Sequence, residues 1–202
     1  LPNILKEILL FDGFLKIKEA VLEYKKGDET ITVVNSKMVK NNAVAILVFN
    51  METQKIILTQ QYRYPIAEQE GEDLVIEIPA GTMEGDESPM ETAIREVKEE
   101  VGYDSNQIEE IMEYYASPGY STEKVHLFVC IVKNEDKIEN EGGGLSNEGE
   151  FIQSYEVPVN DAYEMIEQGG IRDAKSIIAI QEFKIKHVNF LVDEEKQENL
   201  KL

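Results

Sequence analysis

Apolar residues along the first part of the chain follow patterns that predict strands. Leu15–Tyr24 and Glu29–Val34 are rich in β-forming residues and flank a Lys-Lys-Gly-Asp turn, which predicts a hairpin. Ala43–Phe49 is apolar throughout, as expected for a strand that is covered on both faces, and Lys55–Gln61 follows it after a short turn. The main core is therefore expected to begin near residue 41.

Further strands alternate with helices in the rest of the chain. The pattern predicts additional short strands at Leu74–Ile78, Tyr114–Tyr115 and Val125–Val132. Asn160 is predicted to cap a helix that runs to Gln168, and Asp173 is predicted to cap a second one. Strands interleaved with helices in this way predict an α/β layered domain.

The clearest helix signals lie between Ser88 and Gly102. Ser88 is a good N-cap, Pro89 suits the first helical position, and Glu91 completes a Ser-x-x-Glu capping box. Gly102 is a typical residue for the C-terminal end. We therefore predict a helix over Pro89–Val101.

One side of this predicted helix gathers acidic residues. Glu96, Glu99 and Glu100 fall within an arc of roughly 100°, and residues 81–110 contain ten acids against two bases. Because Glu96 and Glu100 are like charges one turn apart, they repel each other unless a cation binds between them. Oxygen ligands without His or Cys favour a hard ion, so Mg²⁺ or Mn²⁺ is expected. A solvated acidic helix face is the alternative interpretation.

Composition narrows the classes of function. The chain has 202 residues and 42% hydrophobic residues, enough for one ordinary domain with a small appendage. A formal net charge of −20 disfavours binding to nucleic acid or to an anionic membrane surface. The single cysteine, Cys130, is expected to be buried in a cytoplasmic protein, and no apolar run is long enough to span a membrane. His126 and His187 have no matching ligand set and are expected to be structural or surface residues.

The segment Gly81–Tyr103 resembles the signature of the Nudix hydrolases. It follows the pattern Gly-x5-Glu-x7-Arg-Glu-U-x-Glu-Glu-x-Gly-U, in which U is aliphatic or bulky apolar, and Tyr103 is the one soft match. The resemblance implies an α/β/α sandwich with a mixed sheet and metal-dependent hydrolysis of a nucleoside diphosphate linked to another group. The metal ligands that it implies are Glu96, Glu100 and the Ala80 carbonyl. It implies Glu99 as a further ligand or as a catalytic group that orients water. The structural positions that it implies are Gly81, Glu87, Arg95 and Gly102.

Two segments outside the signature resemble the subgroup of nucleoside-diphosphate-sugar pyrophosphatases. Gln60–Arg63 is similar to a strand end whose arginine touches the diphosphate, and Ser117–Glu123 is similar to a Ser-Pro-Gly loop near the substrate. An ordinary Pro-Gly turn is the alternative for the second segment. The substrate-binding residues implied by these resemblances are Arg63, Ser117, Pro118, Gly119 and Glu123.

The segment Gly142–Glu150 resembles a mobile loop that carries the catalytic base in the same subgroup. Glu148 falls on the base position and Glu150 on a metal-contacting position, although the choice of base between them stays open and a flexible polar loop is the alternative. The Gly-Gly-Gly-Leu sequence is more similar to the GDP-mannose and UDP-glucose branches than to the ADP-ribose branch. The implied products are a nucleoside monophosphate and a sugar phosphate.

Three parts of the chain are predicted. Residues 1–40 form a small antiparallel β unit, which by resemblance builds a homodimer, residues 41–190 form the hydrolase domain, and residues 191–202 form a charged tail. Two other functions stay open. One is a Nudix-like regulator that binds a nucleotide sugar without cleaving it, for which loss of a signature glutamate would be expected. The other is a nucleoside triphosphate pyrophosphohydrolase, which usually has a shorter chain.

Overall fold

The computed structural model describes residues 1–67, 74–145 and 149–184. Within these ranges the strands are β1 (Asn3–Asp12), β2 (Lys16–Lys26), β3 (Glu29–Val39), β4 (Ala43–Asn50), β5 (Lys55–Tyr62), β6 (Leu74–Glu77), β7 (Ala80–Thr82), β8 (Ile108–Tyr115), β9 (Lys124–Val132) and β10 (Gln153–Pro158). The helices are α1 (Pro89–Val101), α2 (Val159–Glu167) and α3 (174–184), with a 3₁₀ helix at Asn134–Asp136. The predicted base Glu148 and the predicted tail 191–202 lie outside the described residues.

The N-terminal strands form a separate antiparallel sheet in the order β1-β2-β3. The predicted hairpin is confirmed, since β2 and β3 pair in unbroken register up to Lys26 opposite Glu29. The sequence pattern did not predict β1, which pairs with the other side of β2. All ten residues of β1 are exposed, so no buried face imposes the alternation by which a strand is recognised.

The larger sheet is mixed and follows the order β10-β5-β4-β9-β8, with β6 paired to β5 and β7 paired to β4. Strands β4 and β9 run parallel, whereas the other pairs are antiparallel. The fold is therefore the mixed α/β fold with a small N-terminal antiparallel sheet that the sequence predicted.

Two cores enclose the larger sheet, one on each face. Along β4, Val44 and Ile46 pack beneath α1, whereas Ala45 and Leu47 pack on the side of α2 and α3. All four side chains are fully buried, and a buried Val, Ile or Leu contributes roughly 1.5–3 kcal/mol to folding. The continuous apolar run in β4 is thus explained by helices on both faces, which gives the three layers of an α/β/α sandwich.

Helix α1 begins and ends as predicted. Ser88 Oγ accepts the Glu91 backbone N–H at 3.3 Å, and Glu91 Oε2 accepts the Ser88 backbone N–H at 2.9 Å, so both halves of the capping box are present. Pro89 occupies the first turn, and Gly102 ends the helix in the left-handed conformation with φ of 67°. Such a cap stabilises a helix by about 1 kcal/mol.

Two predicted element ends differ from the structure. Asn160 is not the cap of α2, because β10 runs directly into the helix and Pro158 occupies the N-cap position without a side-chain hydrogen bond. The strand predicted at Tyr114–Tyr115 is longer and begins at Ile108. An irregular pairing with β9 between Glu110 and Met112 disturbs its alternation of polar and apolar residues. The cap of α3 is confirmed, since Asp173 Oδ2 accepts the Ser176 backbone N–H at 2.9 Å.

Buried Cys130 also agrees with expectation. Among the described residues, no helix has both the length and the apolar character that crossing a membrane requires.

Candidate active site

Strand β7 and helix α1 approach each other so closely that a side chain at position 81 would collide with the Glu96 carboxylate. A Cβ atom on Gly81 would lie 1.7 Å from Glu96 Oε1 and 2.0 Å from Glu96 Cδ, far inside van der Waals contact. Because Gly81 pairs with Val44 in the sheet, its backbone is fixed and cannot retreat from the helix. Gly81 therefore allows the carboxylate of Glu96 to lie directly on β7.

This contact gives a first testable prediction. Gly81→Ala should displace the Glu96 carboxylate and weaken Mg²⁺ binding about tenfold to hundredfold, the usual effect of disturbing the support of a metal ligand. The control is Gly170→Ala, whose new Cβ would meet its nearest atom at 3.4 Å, an ordinary contact. Isothermal titration calorimetry with Mg²⁺ measures the effect, and equal Mg²⁺ affinity of the two variants would contradict it.

Arg95 connects the loop before α1 to the acidic side of the helix. Its Nε donates to Glu87 Oε1 at 3.1 Å and its Nη2 to Glu87 Oε2 at 3.2 Å. Its Nη1 donates to Glu96 Oε1 and to Glu99 Oε2, each at 2.8 Å. A guanidinium can serve several carboxylates at once because it has five donors in one plane. Hydrogen bonding to Arg95 lowers the pKa of Glu87 and fixes the loop against the helix.

Glu96 and Glu100 form the buried part of this acidic group. Burial raises the pKa of Glu96 to about 7, and the attraction of Arg95 only partly opposes that effect. Burial, followed by repulsion from Glu96 and Glu150, raises the pKa of Glu100 well above its ordinary value. The Ala80 backbone N–H donates to Glu100 Oε2 at 3.3 Å. These carboxylates thus lie close enough to oppose one another's ionisation.

This arrangement fits a hard divalent cation. The carboxylates provide oxygen ligands only, and a cation between them would offset both the burial of their charges and their mutual repulsion. Of the residues predicted to contact metal, Glu96, Glu100 and Glu150 lie close enough to affect one another's ionisation, and the backbone N–H of Ala80 contacts Glu100. Glu99 lies on the rim of the group, where it pairs with Arg95.

The Gly-rich loop packs against the C-terminal end of α1. The backbone N–H groups of Gly143 and Gly144 donate to the carbonyls of Glu100 at 2.9 Å and Glu99 at 3.0 Å. Gly144 has φ of +77°, and a Cβ there would lie 2.8 Å from Glu150 Cβ. Glu150 is held in turn by the Leu145 backbone N–H, which donates to its Oε2 at 3.2 Å. The loop therefore positions Glu150 beside the signature glutamates.

A cleft of about 410 Å³ adjoins this acidic group. Ala80 and Gly81 form part of its wall, so the cleft reaches the segment of β7 over which α1 lies. The side chains of the cleft include both signs of charge. Its charged lining residues are Lys40, Arg63, Glu77, Glu123, Asp173 and Lys175. A space of this size suits a small molecule.

Glu77 organises the cations of the cleft. Arg63 contacts it with two parallel hydrogen bonds, Nε to Oε1 at 2.8 Å and Nη2 to Oε2 at 3.0 Å, and Lys175 Nζ also donates to Oε2. Lys175 is further paired with Asp173 at 3.0 Å. Although burial opposes ionisation, the hydrogen bonds and charges of Arg63 and Lys175 keep the pKa of Glu77 below its ordinary value. Glu77 therefore stays charged and holds both cations at the cleft.

Sequence reasoning predicted Arg63 but missed Glu77 and Lys175. A signal for Glu77 was present, because it is the one acid in the predicted strand Leu74–Ile78. An acid in a buried strand requires a cationic partner. Nothing in the local sequence joins Lys175 to it, since 98 residues separate the two.

The Ser117–Glu123 loop lies against the end of the N-terminal sheet. Met38 N–H donates to the Tyr120 carbonyl at 2.7 Å, and Thr122 N–H donates to the Met38 carbonyl at 3.0 Å. Glu123 pairs with Lys40 at 2.7 Å and lines the cleft. Among the residues that line the cleft in the described chain, the other predicted loop residues Ser117, Pro118 and Gly119 are not found.

The chain is similar to known proteins in sequence and in fold. Residues 39–179 match the family model of the NUDIX domain. An ADP-ribose pyrophosphatase from Bacillus subtilis (strain 168) is 36% identical over 178 residues, which cover 84% of this chain and 91% of that protein. A GDP-mannose pyrophosphatase from Cronobacter sakazakii is 31% identical over 189 residues, which cover 92% and 96%.

Two further similarities extend this result. A methanol dehydrogenase activator from Bacillus methanolicus is 37% identical over 144 residues, which cover 71% of this chain and 72% of that protein. The crystal structure of an ADP compounds hydrolase superposes with a TM-score of 0.73 at 20% sequence identity and covers 92% of this chain and 95% of that one. The structural similarity shows a shared fold.

Proposed function

Because the chain belongs to the Nudix hydrolase family, we propose that it hydrolyses the pyrophosphate bond of a nucleoside diphosphate sugar. The observation that carries this proposal is the position of the buried glutamates of α1, which lie over β7 beside a cleft that holds Arg63 and Lys175. A diphosphate in the cleft would have cations on one side and the acidic group on the other. The similarity to pyrophosphatases of GDP-mannose and ADP-ribose supports this class of substrate.

The acidic group would hold Mg²⁺, or Mn²⁺ in its place, through Glu96, Glu100, Glu150 and the Ala80 carbonyl. A bound divalent cation would supply charge neutralisation for the diphosphate and for its transition state. Arg63 would contribute a fixed guanidinium for a phosphate oxygen, since Glu77 already restricts its rotation. Arg95 would keep Glu96 and Glu99 aligned by the bonds described above.

The reaction requires a base for the attacking water. We assign this role to Glu148, with Glu99 as a group that orients the water. The oxygen of water would form a bond to one phosphorus while the bond from that phosphorus to the bridging oxygen breaks. Glu148 would take the proton from the water, and the products would be a nucleoside monophosphate and a sugar phosphate.

A substrate panel tests the function directly. Purified protein with Mg²⁺ is assayed with ADP-ribose, GDP-mannose, UDP-glucose and a set of nucleoside triphosphates, and the products are separated by anion-exchange chromatography. We expect a nucleoside monophosphate and a sugar phosphate from at least one nucleotide sugar. Preferential release of pyrophosphate from triphosphates would instead identify a triphosphate pyrophosphohydrolase. Tight binding of a nucleotide sugar without hydrolysis would identify a regulator.

We also propose that the N-terminal sheet builds a homodimer. Strand β1 exposes the apolar side chains of Ile4, Leu5, Leu9, Leu10 and Phe11, each at least 48% accessible. Exposed apolar side chains gathered on one strand are a usual feature of a protein contact surface, even though Lys6 and Glu7 interrupt them here. Sedimentation equilibrium should give the mass of a dimer for the natural protein and of a monomer for Leu9→Asp. A natural protein that remains monomeric at micromolar concentration would refute the dimer.

A cytoplasmic location is proposed as well, because the one cysteine is buried and unpaired and suits a reducing compartment. Cell fractionation with detection of the native protein tests this location. Recovery in a membrane or secreted fraction would contradict it.

A further inference from the structure

A second group of potential metal ligands lies on strands β8 and β9. It consists of Glu110, Glu113 and His126, whose ligand atoms all lie within 4.8 Å of one another. His126 Nδ1 is 2.7 Å from Glu110 Oε1 and 3.9 Å from Glu113 Oε2. None of these residues belongs to the signature segment or to the lining of the cleft. The group therefore has no role in the proposed hydrolysis.

A β-bulge brings the two carboxylates to one face. In a regular strand, residues three positions apart point to opposite faces of the sheet. The register between β8 and β9 shifts between Glu110 and Met112, so that Glu110 lies opposite Phe128 and Glu113 lies opposite His126. Phe128 and His126 are two residues apart and share a face, which makes Glu110 and Glu113 share it too. Bulges commonly redirect side chains in this way.

The burial of the three side chains suits an ion that enters from solvent. His126 is only 8% exposed, which limits the freedom of the imidazole. The side chains of Glu110 and Glu113 are 39% and 55% exposed, so the open side of the group faces water. A site with one ordered ligand and two reachable carboxylates can close around an ion without a change in the backbone.

We propose that Glu110, Glu113 and His126 bind one divalent transition-metal ion, of which Zn²⁺ is the best match. One imidazole nitrogen and two carboxylate oxygens suit Zn²⁺ better than Mg²⁺, whose preferred ligands are oxygen atoms. Tetrahedral zinc with bonds of about 2.1 Å separates its ligand atoms by about 3.4 Å. The distances from His126 Nδ1 to Glu110 Oε1 (2.7 Å) and to Glu113 Oε2 (3.9 Å) lie on either side of that value. Small rotations of the two glutamate side chains would bring both distances to it. Water would complete the coordination.

Lys124 competes with a zinc ion for the carboxylate of Glu113. Its Nζ lies 2.8 Å from Glu113 Oε2, so Zn²⁺ must displace one ammonium group to reach that oxygen. Zn²⁺ must also open the 2.7 Å hydrogen bond between His126 Nδ1 and Glu110 Oε1, and the proton of that bond moves to His126 Nε2 or to water. The exposed ion pair is weak, because such pairs contribute only about 0–1 kcal/mol. Glu113→Gln removes a zinc ligand and should weaken zinc binding, whereas Lys124→Gln removes the competing ammonium group and should strengthen it. An ordinary surface ion pair that binds no zinc would not give these opposite effects.

A bound ion would connect the two strands that form one wall of the cleft. Tyr114 is next to Glu113 on β8, and Val125 is next to His126 on β9. Both line the cleft on the opposite face of the sheet. Zinc at the second site would therefore stabilise this wall without touching the substrate.

Zinc binding is tested by isothermal titration calorimetry of the full chain in buffer with millimolar Mg²⁺, which is added to compete for the signature glutamates. We expect one Zn²⁺ per protomer, bound about tenfold or more weakly by Glu113→Gln and several-fold more tightly by Lys124→Gln. The matched control is Glu109→Gln, which removes the same charge from β8, next to Glu110, but lies on the other face of the strand. X-ray absorption of the zinc complex should show one imidazole ligand.

The glutamate variants keep the test decisive even if a substitution of buried His126 prevents folding. Equal zinc affinity of Glu113→Gln and Glu109→Gln, or the absence of bound zinc in the natural protein, would overturn the proposal. Because the hydrolysis assay uses Mg²⁺ alone, its result is independent of this one.

Discussion

Glu100→Gln should reduce Mg²⁺-dependent hydrolysis by about 10²–10³-fold or more while the fold stays intact, since a preorganised electrostatic contact is commonly worth that much. Glu100 is only 2% exposed, and burial together with Glu96 and Glu150 raises its pKa well above the ordinary value. Glutamine matches the shape of the protonated side chain and removes this repulsion. The variant should therefore fold at least as well as the natural protein but lose the ligand.

Thermal unfolding separates these two effects. Without divalent metal, the melting temperature of Glu100→Gln should equal or exceed that of the natural protein. With Mg²⁺, the natural protein should gain stability through binding, whereas the variant should gain much less. Glu109→Gln is again the control for loss of one negative charge. Near-normal turnover of Glu100→Gln, or a metal-induced stabilisation equal to that of the control, would refute the assignment of Glu100 as a ligand.

The same carboxylates predict how metal affinity depends on pH. Burial raises the pKa of Glu96 to about 7, so a proton competes with Mg²⁺ for this group below that pH. Mg²⁺ affinity of the natural protein should therefore fall as the pH decreases from 8 to 6, which calorimetry measures together with the protons released. This slope should be smaller in Glu100→Gln, in which one titrating ligand is missing.

Glu148→Gln should lower kcat by about 10²–10⁴-fold with little change in KM or in Mg²⁺ affinity, because general base catalysis contributes that much to the rate. The comparison with Glu150→Gln distinguishes base from ligand. Glu150 lies beside the signature glutamates and repels both Glu96 and Glu100, so its replacement should mainly weaken Mg²⁺ binding. Loss of kcat at unchanged metal affinity in Glu150→Gln, with an active Glu148→Gln, would reverse the two roles.

Much of the acidic group could be predicted because it depends on short-range order. The cap at Ser88, the end at Gly102 and the spacing of Glu96 from Glu100 all follow from one helix. A helical turn puts residues four apart on one side whatever surrounds it. The requirement for glycine at position 81 is different, since the resemblance identified the residue but only the approach of β7 to Glu96 gives its physical reason.

Strand pairing decided the features that the sequence pattern missed. The cleft depends on Glu77, which joins Arg63, just after β5, to Lys175 of α3, and Glu77 and Lys175 are 98 positions apart in the chain. The zinc site depends on a bulge that shifts the register of β8 by one residue. Neither feature produces a repeating pattern in the sequence from which it could be predicted. Strand register is set by the packing of whole strands rather than by neighbouring residues.

The sequence pattern by itself thus determined most of the strands and helices and the acidic face of one helix, all of which arise from interactions within a few residues, whereas the mixed sheet was expected only from the family resemblance. Only the tertiary structure decided which charges meet. It brought Glu150 to the end of α1, paired the cations of the cleft with Glu77 and placed His126 between two glutamates. The physical reason is that a buried charge is stable only beside partners that the folded chain supplies from distant segments.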